Sequence, residues 1–286
     1  MVRFGPAGNS EAFYAAGYKR TEEAPKWLAE QGLNAYEYQC GQGVRLGAAS
    51  AQAIGEAARQ YGIALSVHAP YFINLASVDP QKRENSIMYI LQTLEAAKQL
   101  GATRIVVHPG GCGKMAREEA MALAMEIWPR IIKAADEGGY GNITICPEVM
   151  GKINQLGNVE EVLTMCGVDE RMIPTFDFGH INARTHGSLQ TAEDFDKLMV
   201  QIENALGQER MRKLHCHFSR IQFSNGGEVK HWNYEDVAHG PNFEPFAEVM
   251  IKRNMEPTII CESAGHQAKD AAEFKRIWES MGGRNI

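Results

Sequence analysis

The stretch Arg104-Ile105-Val106-Val107-His108-Pro109-Gly110 decides how this chain is read. Three consecutive β-branched apolar residues describe a strand covered on both faces, the habit of a parallel sheet. The run ends on an imidazole, and Pro-Gly then turns the chain away. The same grammar recurs at Ala64–His68, Thr144–Glu148, Ile173–Asp177, Lys213–His217 and Thr258–Glu262, with further short runs at Val2–Phe4 and Ala35–Tyr38. Between the runs, apolar residues spaced by three and four predict helices over Ala24–Gln31, Ala49–Tyr61, Asp79–Leu100, Ala116–Glu137, Val159–Cys166, Thr191–Leu206, Phe243–Arg253 and Ala268–Ser280. Eight strand–helix units of about 36 residues are the count that closes an α/β barrel of the (β/α)8, or TIM, type. A doubly wound open sheet is the competing arrangement. With no Pro/Gly/Ser-rich linker or low-complexity tract, a single domain over residues 1–286 is expected.

The 286 residues are 44% hydrophobic and 22% charged, which excludes disordered, collagenous and coiled-coil classes. No run approaches the roughly 18 apolar residues of a membrane span, and the first residues lack the pattern of a signal peptide. The expectation is a soluble, cytoplasmic protein with no membrane association. The six scattered cysteines form no C-x-x-C pair and read as reduced thiols. A formal charge of −6 gives no global attraction to a polyanion, although a local surface can override it. The longest irregular stretch is Phe218–Asn242, which carries His231.

Six of the eight strands end on a residue that can bind a metal: His68, His108, Glu148, Asp177, His215 and Glu262. Their spacings of 40, 40, 29, 38 and 47 residues place about one per unit. In a closed barrel all strand C-termini meet on one face, so three imidazoles and three carboxylates converge there. Carboxylates crowded together repel and take up protons unless cations neutralise them. Mixed nitrogen and oxygen donors suit zinc, manganese or iron better than magnesium or calcium. His180 follows Asp177 by three residues, His231 is its natural partner for a further cation, and His217 is expected to support His215 from the same strand face.

These residues resemble the endonuclease IV family of apurinic/apyrimidinic endonucleases, as a divergent branch. The matching pieces are His68-Ala69-Pro70-Tyr71-Phe72-Ile73-Asn74-Leu75, Val107-His108-Pro109-Gly110, Glu148, Asp177-Phe178-Gly179-His180, His215, His231 and Cys261-Glu262. The resemblance implies a barrel with two to three zinc ions, manganese or iron being possible at some positions. It implies that His68, His108 and Glu148 hold one ion, that Glu148, Asp177, His215 and Glu262 hold a second, and that Glu148 bridges them. His180 and His231 would hold the third. The family's aspartate two residues before that last histidine is here Val229, with Glu228 beside it. Glu148 and Glu262 would be the catalytic carboxylates, and Tyr71 and Phe72 the DNA-binding wedge. The implied activity is hydrolysis of damaged double-stranded DNA 5′ to abasic sites, with no obligate protein partner. A sugar isomerase or epimerase of the xylose-isomerase-like type, using Glu148, Asp177, His215 and Glu262, is the rival. A barrel that binds damaged DNA without cutting it is a third reading.

Overall fold

The computed structural model describes residues 1–285. Its strands are β1 (Arg3–Pro6), β2 (Ala35–Gln39), β3 (Ala64–His68), β4 (Arg104–Val107), β5 (Thr144–Pro147), β6 (Thr175–Asp177), β7 (His215–Phe218), β8 (Arg220–Ser224), β9 (Gly227–Trp232) and β10 (Thr258–Cys261). Two parallel four-stranded sheets, ordered β1-β10-β7-β6 and β2-β3-β4-β5, are joined at both seams by parallel bridges, Ala7 to Glu37 and Glu148 to Thr175. The sheet therefore closes, and the eight-stranded barrel displaces the open-sheet alternative. Gly5 lies at the first seam, where a Cβ would collide with the Ala35 carbonyl, so β1 and β2 can approach only because that side chain is absent.

Helix Pro80–Leu100 shows how the sequence writes the outer layer. Asp79 caps it by accepting the Gln81 amide at 2.9 Å, Pro80 opens it, and Gly101, at φ 70°, ends it. Ile87, Ile90, Leu94 and Ala97 recur on one face and are buried. Each such large aliphatic side chain contributes roughly 1.5–3 kcal/mol when removed from water. No helix among the described residues is long and apolar enough to cross a membrane. All six cysteines are buried free thiols.

Two departures from the sequence reading matter for the site. Phe218–Asn242 is not simply irregular: β8 and β9 form an antiparallel hairpin around the two-residue turn Asn225-Gly226, a dipeptide that favours such turns. In addition, β6 passes directly into a helix, Phe178–Arg184, that the apolar spacing did not predict.

Candidate metal centre

Alternation along the barrel strands separates ligands from anchors. Asp177 and His217 are paired across β6 and β7, while Phe178 and Phe218 beside them meet on the outer side with ring centroids 5.8 Å apart. Aromatic packing outside thus fixes the rotation of both ligand-bearing segments inside. The same register shows why His215 is not where it was expected. His215 pairs with Thr175 and Thr258, one layer deeper in the barrel, and His217 is the imidazole level with Asp177. The strand continues to Phe218, past the boundary drawn at His217, so His217 occupies the end position that His215 was expected to hold.

Glu148 sits at the centre. Its Oε2 lies 3.2 Å from His68 Nε2 and 2.8 Å from His108 Nε2, and its Oε1 lies 3.1 Å from His217 Nδ1. Glu262 Oε1 is 3.5 Å and Asp177 Oδ2 is 4.0 Å from the same His217 nitrogen. The structure thus brings together His68, His108 and Glu148 as one potential donor set, and Glu148, Asp177, His217 and Glu262 as a second. His68 Nδ1 donates to the Ala69 carbonyl at 2.7 Å, which orients the ring and turns Nε2 toward Glu148 as the nitrogen that would meet a cation once its proton is released.

Asp177 has two tasks. Its Oδ1 caps the following helix by accepting the His180 amide at 2.7 Å, while its buried Oδ2 has no hydrogen-bond partner. The D-x-x-H spacing is therefore the spacing of an N-cap to the third helical residue. An orphaned carboxylate oxygen beside two other carboxylates is costly in a neutral cavity and is what a cation-binding set presents. The residues fit divalent ions.

A third set lies on the mouth. His180 Nδ1 donates to the Val149 carbonyl at 2.9 Å, and His231 Nδ1 is 2.7 Å from Ser219 Oγ. Both Nε2 atoms then face Glu228, at 3.5 Å from Oε2 and 3.6 Å from Oε1. The hairpin register explains how Glu228 arrives. Gln222 pairs with Lys230 and Phe223 with Glu228, which leaves Val229 as an extra, bulged residue that is 54% exposed. In a regular strand residues 228 and 231 would face opposite ways, and the bulge restores them to one side. Glu228 thus brings a carboxylate to His180 and His231, where Val229 offers none.

The electrostatics agree with this grouping. Burial pushes the Glu148 carboxyl up, but His108 and His217 outweigh it and hold it well below the ordinary range. Burial acts likewise on Glu262, yet His217 brings it down to about 2. Asp177 is pushed up by burial, which His180 opposes only in part, with Glu262 adding to the rise. His180 is lowered by burial but raised further by Asp177, Glu148 and Glu228, to about 9. Without cations, protons on imidazoles balance the carboxylates.

Glu37, which the sequence reading did not single out, underlies the second set. It is fully buried and accepts from Ser66 Oγ at 2.8 Å, pairs with His215 Nε2 at 2.8 Å, and lies 3.0 Å from His217 Nε2. Its signal was present: a charge in the middle of strand Ala35-Tyr36-Glu37-Tyr38. Tyr71 and Phe72 are about half exposed, at 53% and 51%. The Tyr71 ring lies over His68 and His108, with its hydroxyl donating to Gln39, while Phe72 packs edge-on against Tyr89. Between Tyr71 and the hairpin opens a cavity of about 400 Å³ that also meets Lys152 and Gln155.

A profile described as Xylose isomerase-like TIM barrel matches residues 25–279. The chain belongs to that family. An uncharacterized protein of Methanocaldococcus jannaschii is 32% identical over 214 residues, covering 72% of this chain and 74% of that one. A probable endonuclease 4 of Acholeplasma laidlawii is 30% identical over 159 residues, 54% of this chain and 52% of the relative. The match thus spans about half the length of such relatives. Among solved structures, a D-tagatose 3-epimerase-like protein superposes with a TM-score of 0.74 at 21% identity, covering 98% of each chain. Endonuclease IV from Thermus thermophilus does so with 0.66 at 21%, covering 97% and 98%. These two likenesses establish the family's barrel and leave the reaction to the site.

Proposed function

We propose that this barrel is a metal-dependent phosphodiesterase that hydrolyses DNA 5′ to abasic sites, with zinc as its resident cation. The observation that carries the reading is one carboxylate, Glu148, shared between two donor sets, with a third set complete beside it. A sugar pocket built on Glu148, Asp177, His217 and Glu262 alone has no use for His68 and His108, nor for Glu228 and His231. Divalent ions held by adjacent sets supply Lewis acidity, neutralising phosphate charge and making water more acidic.

The chain's own part is positional. Glu148 keeps its charge and holds the first two sets in register. Glu262, ionised and at the cavity wall, orients a water by accepting a hydrogen bond from it. His180, Glu228 and His231 would hold the third cation. Tyr71 at the cavity and the exposed Phe72 next to it in the chain provide the apolar surface against which an unstacked nucleotide or its gap can rest. Glu228 beside His180 and His231 speaks against the non-cleaving alternative, whose premise is a third set without a carboxylate.

A single assay separates the readings. Protein stripped and reloaded with zinc or manganese is offered one abasic duplex oligonucleotide and, separately, a ketose. Cleavage of the duplex with no epimerised sugar is expected. Sugar conversion with an intact duplex would pass the function to the epimerase reading, in which only the second set is used.

A further inference from the structure

We propose that Arg184 is a positioning residue that assembles the third donor set by gathering the carbonyls of one loop. The inference rests on the three-cation reading above. The Arg184 guanidinium donates to the backbone oxygens of Met150 at 3.0 Å, Lys152 at 2.9 Å, Ile153 at 3.1 Å and Gln155 at 3.2 Å. Arg117 joins it on Ile153 and Gln155, at 2.9 and 2.7 Å, but Arg117 has Glu161 as its counter-charge. Arg184 forms no ion pair among the described residues, so carbonyl dipoles are what balance its charge.

With those four oxygens turned toward Arg184, the rest of the loop faces the third set. The Val149 carbonyl receives His180 Nδ1, the Gly151 carbonyl receives the Glu228 amide at 3.2 Å, and the Ile153 amide donates to the Gly226 carbonyl at 3.1 Å. Gly151 itself passes so close that a Cβ there would lie 2.7 Å from Glu228 Cβ and 2.8 Å from His180 Cδ2. His180 and Arg184 are one turn apart on helix Phe178–Arg184, so the same helix carries a donor and the clamp for the loop that orients it. The loop contacts both the helix that supplies His180 and the hairpin that supplies Glu228 and His231.

Zinc is the probe. Metal-free full chain is titrated with zinc against a chromophoric chelator, and thermal melting of the metal-free protein is recorded alongside. The wild type is expected to take three equivalents. Arg184→Ala should keep two with unchanged affinity and bind the third at least about tenfold more weakly, the range seen when a group orienting a ligand is lost. Arg184→Lys, which cannot span four carbonyls, should recover part of the difference. Three equivalents of wild-type affinity in Arg184→Ala would overturn the assignment, as would a uniform weakening of all three, which is the mark of a general structural role. A wild type that takes only two equivalents would overturn the three-cation reading and this inference with it. Should Arg184→Ala fail to fold, Arg184→Lys carries the test, and an unchanged third affinity there defeats the proposal.

Discussion

The strand-end half of the centre and its mouth half are built on different principles. His68, His108, Glu148, Asp177, His217 and Glu262 sit on or just beyond the parallel strands, so barrel register alone sets their spacing. Glu228 and His231 come from an added hairpin, and they meet His180 only through a bulge and a loop held by two arginines. A donor set fixed by a closed sheet tolerates little movement. One fixed by loops depends on several separate contacts, each of which can fail alone.

Removing the shared carboxylate against removing the local one should show the largest contrast. Glu148→Ala takes a donor from both strand-end sets at once and exposes His68, His108 and His217 to each other, so phosphodiester cleavage should fall by more than about 10³-fold. Glu228→Ala should lose about 10²- to 10³-fold while elemental analysis still finds two ions per chain. Equal losses, or equal metal contents, would mean that the two halves do not function as separate sets.

Within the strand-end half, Glu37 sharpens the comparison. It touches only His217 and His215 among the imidazoles, so Glu37→Gln should weaken one cation by roughly 10- to 100-fold and leave the mouth set unaltered. Competition titration with zinc measures this directly. A change confined to the third affinity would place Glu37 in the wrong half.

The halves also share a dependence on pH. Burial pushes the imidazoles of His68, His180, His217 and His231 down, but neighbouring carboxylates outweigh it and leave all four above the ordinary histidine value. Cations must displace those protons, so uptake at pH 7 releases protons and affinity climbs with pH, a rise that for the His180 ligand ends at about 9. The slope is about tenfold per pH unit for each proton released. His215, pushed down to about 4 by burial, contributes none. Calorimetry in two buffers of different ionisation enthalpy reports the proton count, and a count of zero would show the ligands already neutral.

The sequence made the first half readable and hid the second for definite reasons. Strand-end placement follows from a period of two, so His68, His108, Glu148, Asp177 and Glu262 could be located from apolar runs alone. His215 and His217 both lie on the inward face of β7, so spacing alone does not distinguish them, and only pairing with β6 says which is level with Asp177. Glu37 was passed over because its strand ends on no donor, although a lone charge between two tyrosines in a covered strand demanded a partner. Helix Phe178–Arg184 is too short for periodicity to announce, yet D-x-x-H already contained its cap. Glu228 was seen beside Val229, but a bulge is a two-strand property and no one-dimensional spacing reveals it.

The bulge makes the smallest effect the most informative. Deleting Val229 removes the one unpaired residue of β9, and Glu228 then falls opposite Phe223 in regular register while His231 keeps its partner Ile221. The two donors become a plain i, i+2 pair on one face, as in the D-x-H order that the endonuclease IV resemblance implies. Third-site zinc affinity should therefore change by less than about threefold, although a residue two positions from His231 has gone. The loss of local twist that a bulge provides accounts for the remainder. Inserting an alanine after Val229 should do the opposite: with the single bulge kept, it adds one ladder position between Glu228 and His231 and so sets them on opposite faces of the strand. If the deletion abolishes third-site binding as completely as the insertion, Glu228 reaches the site by some path other than this register.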